Sequence, residues 1–415
     1  MVKGIFLVLD GVADEKTSAL DYKTPLQVAS TPNLDRLAKK SKLDYCYPVR
    51  EGVVPDSASA IISLLGRDPN EAFRGPLEAK GAGVKIARGD LVLRTNFATV
   101  DGLDGEVLDG RAGRTLSTKE SWALAKAINT NVKLPFKFEF YPTVHHRGVL
   151  VFRGGFSDNI SDADPYYRNG FKSGSARVVF SHPLDDEDDS KLAANLVNNF
   201  IRKSHEVLDK HYLNESRAKK GLFSANFILC RGAGCEIPKY QKLKGKWMAF
   251  SSMPLEKGIA EAMKMDLYRM KYPKFKGMDV YSNLYAGLLL SMKASMKMIK
   301  RFRKRYDYFF IHIKETDTPG HDNKPLDKIK MIELIDRKLI AYLEDYCKRY
   351  GVKLMVASDH VTSCKRKGHV EGFVPVMLYD PLNEEDKDKR FTEEDALKGK
   401  KLVSKKLLER ALFGK

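Results

Sequence analysis

Residues 308–321, YFFIHIKETDTPGH, run from an unbroken apolar stretch straight into acids, a glycine turn and an imidazole. A short apolar run bounded by turn residues reads as a strand buried on both faces. Residues 353–360, KLMVASDH, repeat that grammar, and so do residues 3–11, KGIFLVLDG. VPVMLY at 374–379 is one more short strand. Between these runs lie helical patterns. TPLQVASTPNLDRLAKK has Pro32 placed to open a helix, with Leu34 and Leu37 on one face. EGVVPDSASA leads into IISLLG as the first turn of another helix, and residues 325–351 make a long amphipathic helix closed by Gly351. Strands alternating with helices predict a parallel α/β sheet covered on both faces. In such sheets functional groups collect beyond the carboxyl ends of the strands, where Asp10, Asp317, Asp359 and His360 all fall.

From about Asn70 to Leu222 the pattern changes to glycine-rich turns and shorter strands (DLVLRTNFATV, RGVLVF, ARVVF), with a long helix beginning near Asp189. A second α/β domain, residues 71–221, is therefore expected inside a discontinuous catalytic domain of residues 1–70 and 222–415. KKLLERALFGK at the end reads as a packed terminal helix.

Composition supports a soluble globular protein, with 43% hydrophobic and 30% charged residues. No apolar run approaches the roughly 18 residues needed to span a bilayer. Asp10 interrupts the apolar start, and no small-residue cleavage site follows, so that start reads as a strand rather than a signal peptide. The five cysteines are odd in number and scattered, which suits reduced thiols in a cytoplasmic protein. The formal charge of +18 is spread along the chain and mixed with acids, as in KKSKLD and DEDDSK. Solvated faces account for it, and no nucleic-acid signature accompanies it.

Asp317-Thr-Pro-Gly-His321, Asp359-His360, His369 and Asp10 form a set of carboxylates and imidazoles at strand ends. Hard-to-borderline divalent ions take such ligands, and a pair of ions about 4 Å apart suits phosphoryl transfer. Ser57, in VVPDSASA before an inferred helix, is the candidate nucleophile, although Ser57 or Ser59 would equally serve as a helix cap.

LVLDG, TPLQVASTPNLDRLA, GPLEAKGAG, RTNFATV, DGRAGR, SDNISDADP, HIKETDTPGHD and SDHVTS…GHVEGFVPV occur in this order through nearly the whole chain. Together they resemble the archaeal-type cofactor-independent phosphoglycerate mutases, a branch of the alkaline-phosphatase superfamily. The resemblance implies one metal on Asp317, His321 and His369, and a second on Asp10, Asp359, His360 and the Ser57 oxygen. The ions would be manganese, cobalt or zinc, with magnesium a further option, and no 2,3-bisphosphoglycerate would be needed. Ser57 would take the phosphoryl group from 3-phosphoglycerate and return it to give 2-phosphoglycerate. The inserted domain would then act as a closing lid. Arg111, Arg114 and Arg147, with Arg231 and Lys257, would grip carboxylate and phosphate, and Asp162 or Asp164 would serve as acid/base. The partner is thus a small phosphorylated metabolite, with no nucleic acid or membrane; the alternative is a phosphatase or phosphotransferase acting on another such metabolite.

The chain also departs from that family's pattern. Ser-Asp-Thr-Ala-His is replaced by Ser57-Ala58-Ser59-Ala60-Ile61, and Asp-Thr-Asp-Pro-His by Asp162-Ala163-Asp164-Pro165-Tyr166. Glu-His-Arg is replaced by His145-His146-Arg147, and Gly-Asp-His-Ser by Ser358-Asp359-His360-Val361. Every implied metal ligand and Ser57 is retained, while part of the substrate surround has changed.

Overall fold

A computed structural model describes residues 2–166, 176–270 and 279–413. Its larger sheet has eight strands in the order Asp266–Leu267, Trp247–Phe250, Tyr308–Ile313, Gly4–Leu9, Lys353–Ala357, Val374–Tyr379, Lys42–Tyr47, Lys401–Val403. The first five run parallel, and Val374–Tyr379 is antiparallel to both its neighbours. The Gly4–Leu9 strand lies between the Tyr308–Ile313 and Lys353–Ala357 strands, and all six of its residues are buried. Helices cover both faces, which is why these strands are apolar without alternation. The three strands that the motifs share are therefore adjacent, and their carboxyl ends open on one spot.

The long amphipathic helix runs as Pro325–Ile335, a π-helical turn Asp336–Ile340, and Ala341–Tyr350, closed by Gly351 at φ 65°. The Ser57–Leu64 helix begins earlier than IISLLG suggests. Asp56, rather than Ser57 or Ser59, caps it by accepting from the Ser59 N–H at 2.9 Å. At the C-terminus a helix spans Leu407–Ala411, and residues 414 and 415 of the predicted terminal helix lie outside the described residues.

A second, antiparallel sheet comprises Phe138–Pro142, Arg147–Phe152, Leu91–Val100, Glu106–Asp109 and Ala176–Arg177, with Phe227–Gly234 also paired to Leu91–Val100. The ARVVF strand is thus shortened to its first two residues. Phe227–Gly234 lies beyond residue 221 in sequence and still belongs to this sheet. The helix Asp188–Asp209 packs on it, and Phe97, Phe140, Phe152 and Phe200 fill the core between them. Among the described residues no helix is long and apolar enough to cross a membrane.

Candidate active site

Asp10 follows the last residue of its strand, and Asp359 and His360 follow theirs; all three are fully buried. Asp317 and His321 bound a short helix that begins four residues after the Tyr308–Ile313 strand, so one turn brings both side chains to the same side. His369 arrives on the Gly368–Val370 strand, which pairs with Val361–Ser363. Their donor atoms converge. His360 Nε2 lies 3.3 Å from Asp10 Oδ1 and 3.4 Å from Asp359 Oδ2. His321 Nε2 and His369 Nε2 lie 3.4 and 3.5 Å from Asp317 Oδ1. The His360 and His369 rings stack with centroids 3.6 Å apart. Backbone carbonyls hold the outer nitrogens, His321 Nδ1 at 3.1 Å from Lys367 O and His369 Nδ1 at 3.0 Å from Pro55 O.

Among the described residues, three sets of donor atoms lie close enough to share a cation: Asp317, His360 and His369; Asp10, Asp359 and His360; Asp10, Glu256 and His312. Asp10 Oδ1 and Asp359 Oδ2 are buried without a hydrogen-bond partner, which is costly unless a positive charge sits between them. The local field has the matching sign. Burial opposes charge on His312, yet Asp10 and Asp359 push its imidazole up to about 10. Lys314 Nζ lies 2.6 Å from Asp10 Oδ2 and 3.3 Å from Asp317 Oδ2. Burial alone would raise the Asp317 carboxyl, but Lys314 and His321 hold it well below the usual range. The donor set therefore fits divalent cations.

Ser57 is the first residue of its helix, and its Oγ is 3.2 Å from His360 Nε2. It also lines a cavity of about 110 Å³. Arg74, Arg94, Arg111, Arg114, Arg147, Arg231 and Lys314 line the same cavity, against Glu78, Glu256, Glu315 and Asp317. Glu78 and Arg94 form a buried pair at 2.7 Å, and Arg114 pairs with Asp322. Burial pulls Arg94 down to about 9 against the pull of Glu78. Burial and neighbouring Arg111 pull Arg114 to about 10. Both stay charged at neutral pH, and a bound anion would relieve their crowding.

Of the residues singled out from sequence, Ser57, Arg111, Arg114, Arg147, Arg231, Asp317, His321 and His369 line the cavity. Asp10, Asp359 and His360 stand behind its wall with the donor cluster. Lys257 does not line it, because the Pro254–Ala262 helix turns by about 100° per residue and presents Leu255 and Glu256 there instead. Asp162 and Asp164 do not line it either. Asp162 Oδ1 accepts from Gly232 N at 2.7 Å, and Asp164 lies 3.5 Å from Arg231 Nε, so both brace the segment that carries Arg231. Ala58 and Ile61 are fully buried in the core and do not reach the cavity. Tyr166 packs against the second sheet's core.

The sequence reading passed over Lys314, His312, Glu256, Arg74 and Arg94. Lys314 sits inside the HIKETD motif, three residues from Asp317, and was legible there. His312 looks like one more residue of a buried strand, and Glu256 like an ordinary residue of a first helical turn.

A family model described as "2,3-bisphosphoglycerate-independent phosphoglycerate mutase" matches residues 38–214. A curated relative of that name from Thermococcus kodakarensis is 35% identical over 406 residues, covering 96% of this chain and 93% of the relative. A solved structure of a Pyrococcus horikoshii protein superposes with a TM-score of 0.74 at 27% identity, covering 99% of this chain and 97% of the other. The cofactor-independent phosphoglycerate mutase from Thermoplasma acidophilum gives a TM-score of 0.56 at 27% identity, covering 100% and 99%. With the strand-end carboxylates and imidazoles, Ser57 and the arginine-lined cavity in one place, the chain belongs to the 2,3-bisphosphoglycerate-independent phosphoglycerate mutase family.

Proposed function

We propose that this protein interconverts 3-phosphoglycerate and 2-phosphoglycerate, with Ser57 carrying the phosphoryl group between the two hydroxyls and without 2,3-bisphosphoglycerate. One observation carries the reading: Ser57 Oγ touches His360 of a buried carboxylate–imidazole cluster and lines the same cavity as six arginines. Asp317, His321 and His369 would hold one divalent cation, and Asp10, Asp359 and His360, with the Ser57 oxygen, the other. Manganese, cobalt or zinc suits this imidazole-rich set better than magnesium. Bound there, such ions lower the pKa of a coordinated hydroxyl and offset charge on a phosphoryl group in transfer.

The protein's own groups do the rest. Arg111, Arg114, Arg147 and Arg231, with Arg74, would orient the substrate's phosphate and carboxylate. As Ser57 Oγ bonds to phosphorus and loses its proton, the bond to the 3-oxygen breaks and that oxygen takes a proton. Glycerate then turns within the cavity. Its 2-hydroxyl loses a proton as it recovers the phosphoryl group, and Ser57 regains its own. The N-terminal amides of the Ser57–Leu64 helix would favour the phosphorylated state. Water must stay out while glycerate turns, and we assign that task to residues 71–221, an inserted lid that brings Arg74, Arg94, Arg111, Arg114 and Arg147 to the cavity. Asp162 and Asp164, bound to Gly232 N and beside Arg231, would orient that arginine. The free cysteines, four of them buried, suit a cytoplasmic setting.

An enolase-coupled assay on chelator-stripped protein tests the proposal. Adding manganese should start formation of 2-phosphoglycerate from 3-phosphoglycerate with no 2,3-bisphosphoglycerate present. Release of inorganic phosphate without 2-phosphoglycerate would instead identify a phosphatase.

A further inference from the structure

Thr362 is fully buried on the short Val361–Ser363 strand, two residues past His360. Its Oγ1 lies 2.9 Å from Asp317 Oδ1 and 3.0 Å from His360 Nδ1. One hydroxyl therefore touches a member of each cluster that would hold a cation. It has one proton to give. Asp317 is a carboxylate that takes the Thr362 hydroxyl on Oδ1 and has Lys314 Nζ 3.3 Å from Oδ2, so its oxygens accept. The Thr362 proton thus goes to Asp317, and the hydroxyl oxygen must accept from His360. That puts the ring proton on Nδ1. Nε2 then turns a lone pair toward Ser57 Oγ at 3.2 Å, Asp10 Oδ1 at 3.3 Å and Asp359 Oδ2 at 3.4 Å. Both of those carboxylate oxygens lack a hydrogen-bond partner, so the lone pairs meeting there call for a cation or the Ser57 proton.

The fold makes room for this side chain and pins it. A Cβ on Gly11, at φ 55°, would lie 2.2 Å from Thr362 Oγ1, and one on Gly320 would lie 2.6 Å from Thr362 Cγ2. Thr362 N donates to Ala13 O at 3.0 Å. Its carbonyl accepts from buried Lys328 Nζ at 2.9 Å, which also donates to Asp14 Oδ2 at 2.8 Å. The turn after Asp10, the helix after His321 and the strand after His360 all meet at this threonine.

We propose that Thr362 is a positioning residue: its hydroxyl holds His360 with Nδ1 protonated and Nε2 open, and ties that imidazole to Asp317. The inference rests on reading Asp317 and His360 as cation ligands. Groups in this position typically change metal affinity by about 10- to 100-fold when removed.

The test compares wild type, Thr362→Val, which keeps the shape and loses the hydroxyl, and Thr362→Ser, which keeps the hydroxyl. In metal-free, ¹⁵N-histidine-labelled protein, with His360→Gln to assign the signal, wild type and Thr362→Ser should show His360 as the Nδ1–H tautomer. Thr362→Val should lose that preference. Calorimetric titration with Mn²⁺ should give about 10- to 100-fold weaker binding for Thr362→Val, and binding by Thr362→Ser close to wild type. Should Thr362→Val fail to fold, Thr362→Ala is read the same way. A hydroxyl-free variant with the wild-type tautomer and wild-type Mn²⁺ affinity overturns the proposal, as does Thr362→Ser failing as badly as Thr362→Val. If wild type itself does not bind Mn²⁺, the cation reading falls, and the tautomer spectrum still decides the role of Thr362.

Discussion

Ser57 has the serine hydroxyl's usual weakness as a nucleophile, and its surroundings answer it with His360 Nε2 at 3.2 Å and a helix start beneath it. Ser57→Ala should lower isomerisation by at least about three orders of magnitude, while Mn²⁺ binding measured by calorimetry persists through the remaining ligands. His145 carries a different expectation. It sits at φ 56°, and burial together with Arg147 pulls its imidazole down to about 3. The unfolded chain, with histidine near the ordinary value of about 6.5, binds a proton that the folded chain refuses. Stability from this residue is therefore full above about pH 6.5 and is lost as pH falls toward 3. His145→Asn, which tolerates positive φ, should flatten the fall in urea-unfolding stability between pH 7 and pH 5 by a slope of about one proton. At this scale the sequence was readable wherever a carboxylate follows a buried strand, as Asp10 and Asp359 do. It was silent where the side chain's direction decided the role. Asp162 and Asp164 read as acids in a turn, and the fold sets Asp162 Oδ1 on Gly232 N and Asp164 beside Arg231.

Between elements, the helices Arg74–Ala82 and Pro254–Ala262 pack backbone to backbone beside the cavity. Gly258 allows it, since a Cβ there would lie 1.7 Å from Leu77 O. Each helix presents a cavity residue, Arg74 on one and Glu256 on the other. Gly258→Ala should cost about 1–3 kcal/mol in denaturant unfolding and should raise KM as Arg74 shifts. An unchanged unfolding midpoint would show that the helices can part at no cost. Four strands of the larger sheet were legible because burial leaves an unbroken apolar run, as in GIFLVL and YFFIHI, whereas Trp247–Phe250 and the outer strands Lys42–Tyr47, Asp266–Leu267 and Lys401–Val403, short or partly exposed, were not. The second sheet was harder to bound. Phe227–Gly234 pairs with Leu91–Val100, a partner more than a hundred residues away, and local pattern holds no record of such a pairing. The π-helical turn at Asp336–Ile340 left no mark on the helical periodicity either, although Asp336 there accepts from Leu34 N at 2.7 Å.

Across the whole molecule, the net charge of +18 has a local counterpart in a cavity where six arginines and Lys314 face four carboxylates. The carboxylate–imidazole cluster lies where segments distant in sequence converge, so on the proposed reading cation binding and folding should be coupled. Chelator-stripped protein should unfold at lower temperature, and Mn²⁺ at about a hundred times its dissociation constant should restore about 2.7 kcal/mol. In the proposed mechanism Ser57 carries the phosphoryl group while the cavity keeps the glycerate. An isotope crossover tests it most directly. The manganese-loaded enzyme is given a mixture of 3-phosphoglycerate labelled with ¹⁸O in its phosphate and 3-phosphoglycerate labelled with ¹³C in its carbon chain. Mass spectrometry should find 2-phosphoglycerate in which each phosphate stays with its original carbon chain, along with a phosphorylated Ser57 peptide in quenched enzyme. Product carrying both labels would mean that glycerate leaves between the two transfers, and inorganic phosphate in place of 2-phosphoglycerate would mean that water takes the phosphoryl group from Ser57; either would contradict the account.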